Sequence, residues 1–195
     1  HGDNGSVDAV VKLPVPPQEL QWLRRRQPDG HEAGEVTPRL FASGDRLNGY
    51  DLAWVVMERM PHGPLSSQWQ GEEFDLLVDA IGRFYAAASR HAVNRPARDE
   101  DWPGILKKAR AAIREHQVAE EQRWSAALKQ LHKKLKKVMS DWDGRPTDEW
   151  CHGDFHLANA LTRQEPPHGP ALLIDFAEVH AGHWVEDAVY LEHLY

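Results

Sequence analysis

The chain has 195 residues, with 23 Lys+Arg against 30 Asp+Glu and a formal charge of −7. That length allows one domain or two small lobes sharing an interface, and folding can remove roughly 70% of the unfolded surface from water, so a core needs no covalent staples. Apolar residues make up 41% and charged residues 27%, a globular rather than a disordered mix. The acidic balance argues against a broad basic face for nucleic acid and favours cationic ligands. The single cysteine, Cys151, cannot form an internal disulfide, which fits a reducing compartment and a cytoplasmic protein. No apolar run approaches the roughly 18 residues of a bilayer span, and no signal-peptide pattern opens the chain. The chain starts at His1 and stops at Tyr195 inside a predicted helix, and is read as a piece of a longer protein.

No period of 20–50 residues repeats. Asp3-Asn4-Gly5 is a tight-turn signal, followed by the apolar strand Val7 to Lys12. Leu13 to Pro17 breaks that strand, Glu19 to Arg26 reads as a short helix, and Pro28 to Pro38 as a loop. Arg39 to Ser43 and Tyr50 to Met57 read as strands around a turn at Asn48-Gly49. After the break at Pro61-His62-Gly63-Pro64 the pattern becomes helical. Phe74, Leu77, Val78, Ile81, Phe84, Tyr85 and Ala88 fall on one helical face; Ile105, Leu106, Ala109, Ala112 and Ile113 on a second; Trp124, Leu128, Leu131, Leu135 and Val138 on a third. The lysines of Lys133-Lys134-Leu135-Lys136-Lys137 lie off that stripe and read as a solvated face. The coarse reading is a small strand-rich lobe, residues 1–60, and a mainly helical lobe, residues 61–195.

The segment Trp150-Cys151-His152-Gly153-Asp154-Phe155-His156-Leu157-Ala158-Asn159 carries the most chemistry. Asp154 to Asn159 is five positions, the interval of the protein-kinase catalytic loop, in which the Asp accepts a proton from the attacking hydroxyl and the Asn holds magnesium. Asn159 lies eight residues before Pro167 and Asp175 eight after it. A chain that folds back near Pro167 therefore brings Asn159 and Asp175 to the same end of a two-stranded ribbon. An amide and a carboxylate oxygen there suit magnesium. His152 is expected to pack and hydrogen-bond beneath the loop, and Cys151 to be a buried inert thiol. The four-residue spacing of His152 and His156 would suit zinc only on a helix, which Gly153 argues against. With Asp154 and Asp175 these histidines keep a metal-dependent phosphohydrolase open. His168, His180, His183 and His193 show no ligand spacing.

His152-Gly153-Asp154 through Asn159, then Leu173-Ile174-Asp175-Phe176 and Gly182 followed by Asp187, resemble the aminoglycoside phosphotransferase/choline kinase-like family of small-molecule kinases. The resemblance implies an α+β, protein-kinase-like two-lobe fold and transfer of a γ-phosphoryl group from ATP, with GTP an alternative, to a small-molecule hydroxyl with Mg2+. It implies Asp154 as base, Asn159 and Asp175 as metal ligands, Lys12 as the phosphate-binding lysine, the backbone of Glu58 and Met60 as adenine contacts, and Asp187 as a brace of the catalytic loop. The family's nucleotide loop would lie upstream of His1, and its C-terminal helices are largely missing. The glutamate partner of Lys12 is left open, because Glu19, the nearest candidate, follows after only seven residues. The acidic charge favours an aminated acceptor such as an aminoglycoside or amino alcohol. A non-catalytic nucleotide-binding or regulatory module is the rival from another class. No nucleic-acid or membrane partner is expected, and the oligomeric state is open.

Overall fold

The computed structural model describes residues 7–25, 35–67, 71–97 and 100–195. The Asp3-Asn4-Gly5 turn and most of the Pro28 to Pro38 loop lie outside them. Two compact units emerge, one of residues 1–96 with 148–195, the other of residues 97–147. The strand-rich N-terminal segment therefore shares a unit with the catalytic segment and the first long helix.

In the larger unit, β1 (Ala9–Lys12), β2 (Leu40–Gly44) and β3 (Trp54–Glu58) form an antiparallel sheet in the order β1-β3-β2. The register pairs Ala9 with Glu58 and Lys12 with Val55. Asn48 and Gly49 take φ of 46° and 87°, and Leu47 and Tyr50 exchange hydrogen bonds of 3.1 and 2.9 Å across them. This is the primed two-residue turn that Asn-Gly favours. The third strand begins at Trp54 rather than at Tyr50. The Tyr50 backbone is taken up by that turn, and the Ala53 carbonyl accepts from Val15 N–H at 2.9 Å instead of joining the ladder.

Helix α1 (Pro17–Arg25) opens on Pro17, whose fixed φ suits a first helical position. It buries Glu19, Leu20, Trp22 and Leu23. Helix α2 (Glu73–Ala88) buries Leu77, Ile81, Phe84 and Ala88 of its predicted stripe, whereas Val78 sits at the edge and is exposed. Trp22 joins the two halves of the core, stacking edge-on against Trp150 at 5.0 Å and lying 6.2 Å from Phe84. Beyond α2 come β4 (Glu149–Cys151), β5 (Ala160–Thr162), β6 (Ala171–Leu173), β7 (His180–Gly182) and a terminal helix, Val185–Leu194. β4 pairs with β7 and β5 with β6, as two separate antiparallel ribbons.

The smaller unit is a helix pair, α3 (Trp102–Glu115) and α4 (Glu121–Asp143); the terminal helix is therefore α5. Asp101 caps α3 by accepting from Gly104 N–H at 2.9 Å, and Leu106 and Ile113 are its buried residues. The predicted stripe on α4 is covered only in part: Leu128 and Leu135 are half-buried, while Trp124, Leu131 and Val138 are exposed.

Candidate active site

β4 leads straight into His152-Gly153-Asp154. Gly153 has φ 82°, and a Cβ there would stand 2.2 Å from the Glu178 carbonyl oxygen. Only glycine allows the loop to pass Glu178 in this conformation. Asp187 of α5 then holds the loop in place. It is fully buried; Oδ2 accepts from His152 N–H and from the Tyr85 hydroxyl, and Oδ1 from Gly153 N–H, all at 2.8 Å. The bracing role expected of Asp187 is visible in these three bonds.

The His152 ring is fully buried, 5.7 Å from Phe84 and 5.1 Å from Phe176. Burial pushes its pKa down, against the pull of the Asp187 and Asp154 charges. It packs as expected, with the Ile174 backbone as its hydrogen-bonding neighbour. By distance and angle, neither ring nitrogen makes a close hydrogen bond among the described residues. Nor do His152 and His156 belong to a group of three converging ligand-type side chains. Among the described residues the group of three His, Cys, Asp or Glu side chains whose ligand atoms converge is Cys151, His180 and Glu186, a group that sequence spacing alone did not bring together.

Asp154 is half-buried and densely bonded. Its Oδ1 accepts from the Tyr190 hydroxyl at 2.8 Å and its Oδ2 from Asn159 Nδ2 at 2.7 Å. His156 Nδ1 accepts from Ala158 N–H at 3.1 Å, which leaves the ring proton on Nε2, 3.2 Å from Asp154 Oδ1. Burial raises the Asp154 pKa, but the bonds from Tyr190 and Asn159 and the nearby His156 and His152 outweigh it, and the net direction is down. The carboxylate is thus held ionised, as a proton acceptor must be.

The ribbon forms as its arithmetic requires, shifted by half a residue. Ala160 faces Leu173, and Ile174 N–H bonds the Asn159 carbonyl at 3.0 Å. Asn159 therefore lies opposite Ile174, with Asp175 one step beyond at the same end. Asp175 has a left-handed backbone, φ 63° and ψ 71°, which costs a non-glycine residue about 1–2 kcal/mol. Phe176, fully buried just after it, anchors that turn.

Lys12, at the end of β1, reaches the same place. Its Nζ lies 2.8 Å from both Glu19 carboxylate oxygens and 3.4 Å from Asp175 Oδ1. Glu19 is thus the partner that the short connection left open. A proline-initiated helix starting at residue 17 is compact enough to bring the glutamate back within seven residues. Burial raises the Glu19 pKa and Lys12 opposes it, with the net direction up. At the far end of β3, Glu58 is clamped by Arg163, with Nε and Nη2 each 2.7 Å from one carboxylate oxygen. His62 and Thr162 exchange backbone bonds of 3.3 and 3.0 Å beside it. The segment from Glu58 through half-buried Met60 is therefore tied to the ribbon that carries Asn159.

Sequence reasoning passed over Tyr190 and Arg163, and weighed His156 only as a zinc ligand. Tyr190 had a signal: it follows Asp187 by three residues on a helix, so the two share a face. Arg163 had none.

The strand-supported lysine–glutamate pair, the braced His-Gly-Asp loop and the ribbon bearing Asn159 and Asp175 define a kinase-like phosphotransfer fold of the α+β class. The profile of the phosphotransferase enzyme family matches residues 2–193, and the chain belongs to that family. Among solved structures, it is similar to a thermostable mutant of aminoglycoside phosphotransferase APH(4)-Ia in ternary complex with ADP and hygromycin B. The TM-score is 0.61 at 16% identity, over 96% of this chain and 65% of that one. A GDP complex of a mutant aminoglycoside 2'-phosphotransferase-IIIa gives 0.59 at 18% identity, over 97% and 66%. The AMP-bound spectinomycin phosphotransferase APH(9)-Ia gives 0.59 at 12%, over 96% and 64%. At these identities the likeness establishes the fold, and the chain spans about two thirds of the length of each of these structures. No curated protein sequence matches it. No helix is long and apolar enough to cross a membrane among the described residues.

Proposed function

We propose that the protein transfers the γ-phosphoryl group of ATP, or of GTP, to a hydroxyl of a small molecule, with residues 1–60 and 61–195 acting as nucleotide-binding and catalytic lobes. The observation that carries this reading is the meeting of Lys12, Asp175 and the Asp154–Asn159 pair from three separate parts of the chain. Lys12 holds the α/β-phosphates as a point charge, kept in place by Glu19. The backbone of Glu58 and Met60 takes the adenine. The donor set fits Mg2+: Asn159 spends Nδ2 on Asp154, leaving its carbonyl oxygen as a hard ligand, and Asp175 adds a carboxylate. When bound, magnesium would neutralise charge developing on the phosphate oxygens. Asp154 orients the acceptor hydroxyl and takes its proton, and positioning dominates because the transition state is loose. The net charge of −7 and the hygromycin B complex of a similar fold support an aminated acceptor such as an aminoglycoside or an amino alcohol.

The test is Asp154→Asn in the whole protein, assayed against a panel of hydroxyl compounds with each nucleotide. The substitution keeps size and removes the proton acceptor. Turnover is expected to fall by about 10²–10⁴-fold with nucleotide affinity nearly unchanged. Near-normal turnover with chemistry rate-limiting would place the base elsewhere.

A further inference from the structure

Three ligand-type side chains from three elements converge where β4 pairs with β7: Cys151 at the end of β4, His180 at the start of β7 and Glu186 in the first turn of α5. Their Sγ, imidazole nitrogen and carboxylate oxygen atoms all lie within 4.8 Å of one another. We propose that this cluster is a binding site for one divalent ion of borderline softness, zinc above all, distinct from the magnesium ligands Asn159 and Asp175.

The backbone builds the cluster. Cys151 and His180 are a cross-strand pair, which places their side chains together on one face. Gly182 makes room for the carboxylate, since a Cβ there would lie 2.6 Å from Glu186 Oε1 and 3.0 Å from Cys151 Sγ. His183 N–H donates to Glu186 Oε1 at 2.9 Å and fixes that carboxylate, with Oε2 turned to His180 Nε2 at 3.2 Å.

The hydrogen-bond roles leave a place for a positive charge between His180 and Glu186. His180 Nδ1 lies 2.9 Å from the Glu178 carbonyl oxygen, which can only accept, so Nδ1 carries the hydrogen. The Nε2 of a neutral ring is a lone pair, and it faces Glu186 Oε2, another acceptor. Either a second proton on the ring or a metal ion must lie between them. Thiolate, imidazole and carboxylate together are a zinc donor set. A ring N–H bonded to a backbone carbonyl is also how metal-binding histidines are usually oriented. Tetrahedral zinc, with bonds of about 2.0–2.3 Å, sets its ligand atoms about 3.3–3.6 Å apart, and the imidazole–carboxylate edge, at 3.2 Å, is close to that spacing. Cys151 Sγ lies 3.2 Å from the His183 carbonyl oxygen; on forming the sulfur–metal bond it gives its proton to solvent, and water takes the fourth position. The ion would tie β4, which feeds the Asp154 loop, to α5, which carries Asp187 and Tyr190.

The experiment titrates the intact, metal-stripped protein with Co2+ and then Zn2+. The expected result is one Co2+ per chain with a thiolate-to-cobalt charge-transfer band that Zn2+ abolishes. Because Cys151 is the only cysteine among residues that include 12 histidines, histidine-only surface binding cannot produce that band. Cys151→Ser should remove the band, and His180→Gln and Glu186→Gln should each weaken Zn2+ binding about tenfold or more, with folding checked by circular dichroism. The last two leave the buried thiol in place, so they keep the test decisive should Cys151→Ser unfold. Absence of the band in the folded protein, or Zn2+ affinity unchanged in the folded His180 and Glu186 variants, would overturn the proposal and leave a protonated His180–Glu186 pair.

Discussion

The Tyr190 hydroxyl donates to Asp154 Oδ1 at 2.8 Å, so a side chain of the terminal helix makes the hydrogen bond that an acceptor hydroxyl would make to a catalytic base. The bond favours the ionised carboxylate and contributes to the lowered pKa of Asp154. Tyr190→Phe removes it, so the Asp154 pKa should rise. A base must be unprotonated to act, and the acid limb of kcat/KM against pH should therefore move to higher pH. A hydrogen bond to a charged group is worth about 1.5–3 kcal/mol, and with His156 and Asn159 still in place the shift should be on the order of one pH unit. An unmoved acid limb would mean that Tyr190 does not tune the base.

Asp175→Ala removes the charged member of the proposed magnesium pair. Binding of magnesium-nucleotide should weaken much more than binding of nucleotide alone, as read by titration calorimetry with and without Mg2+. Lys12 loses its 3.4 Å neighbour but keeps Glu19, so metal-free affinity should change little. Equal losses in both conditions would remove Asp175 from the metal site.

Asp187→Ala should act on stability before chemistry. It strands two backbone N–H groups, on His152 and Gly153, and the Tyr85 hydroxyl beneath the loop. Losing these bonds to a buried charge should cost about 3–5 kcal/mol, visible as a lower urea midpoint. A loss below about 1 kcal/mol would show that the loop is held by its packing rather than by this carboxylate.

The clamp between Glu58 and Arg163 should show a pH signature. The Arg163 hydrogen bonds hold the Glu58 carboxyl below its ordinary range, so the folded protein binds that proton less tightly than the unfolded chain. The contribution is complete above the unfolded carboxylate pKa of about 4.3 and is lost as pH falls through the lower folded value. Comparing Arg163→Met with the parent, the stability gap should be near 1 kcal/mol at neutral pH, the size of a partly exposed ion pair. It should shrink as the pH drops through that window. A gap independent of pH would assign the loss to packing of the arginine.

What the sequence determined is what short-range pattern records. The five-residue interval from Asp154 to Asn159, the length of the ribbon, the Asn48-Gly49 turn and the buried stripe of α2 follow from backbone geometry over a few residues. The helical and strand periods record which face is apolar, as Leu77, Ile81 and Phe84 show by being buried. They do not record what covers that face, and the stripe of α4 reads like that of α2 yet leaves Trp124, Leu131 and Val138 exposed. Only the tertiary structure decided the pairings between elements: Lys12 with Glu19 across a proline-started helix, Glu58 with Arg163 across 105 positions, Asp154 with Tyr190 across 36, and Cys151 with His180 and Glu186. Each of these rests on where the chain returns after a turn or a ribbon. A contact made by that return is set by the packing of whole elements, which no local spacing of residue types contains.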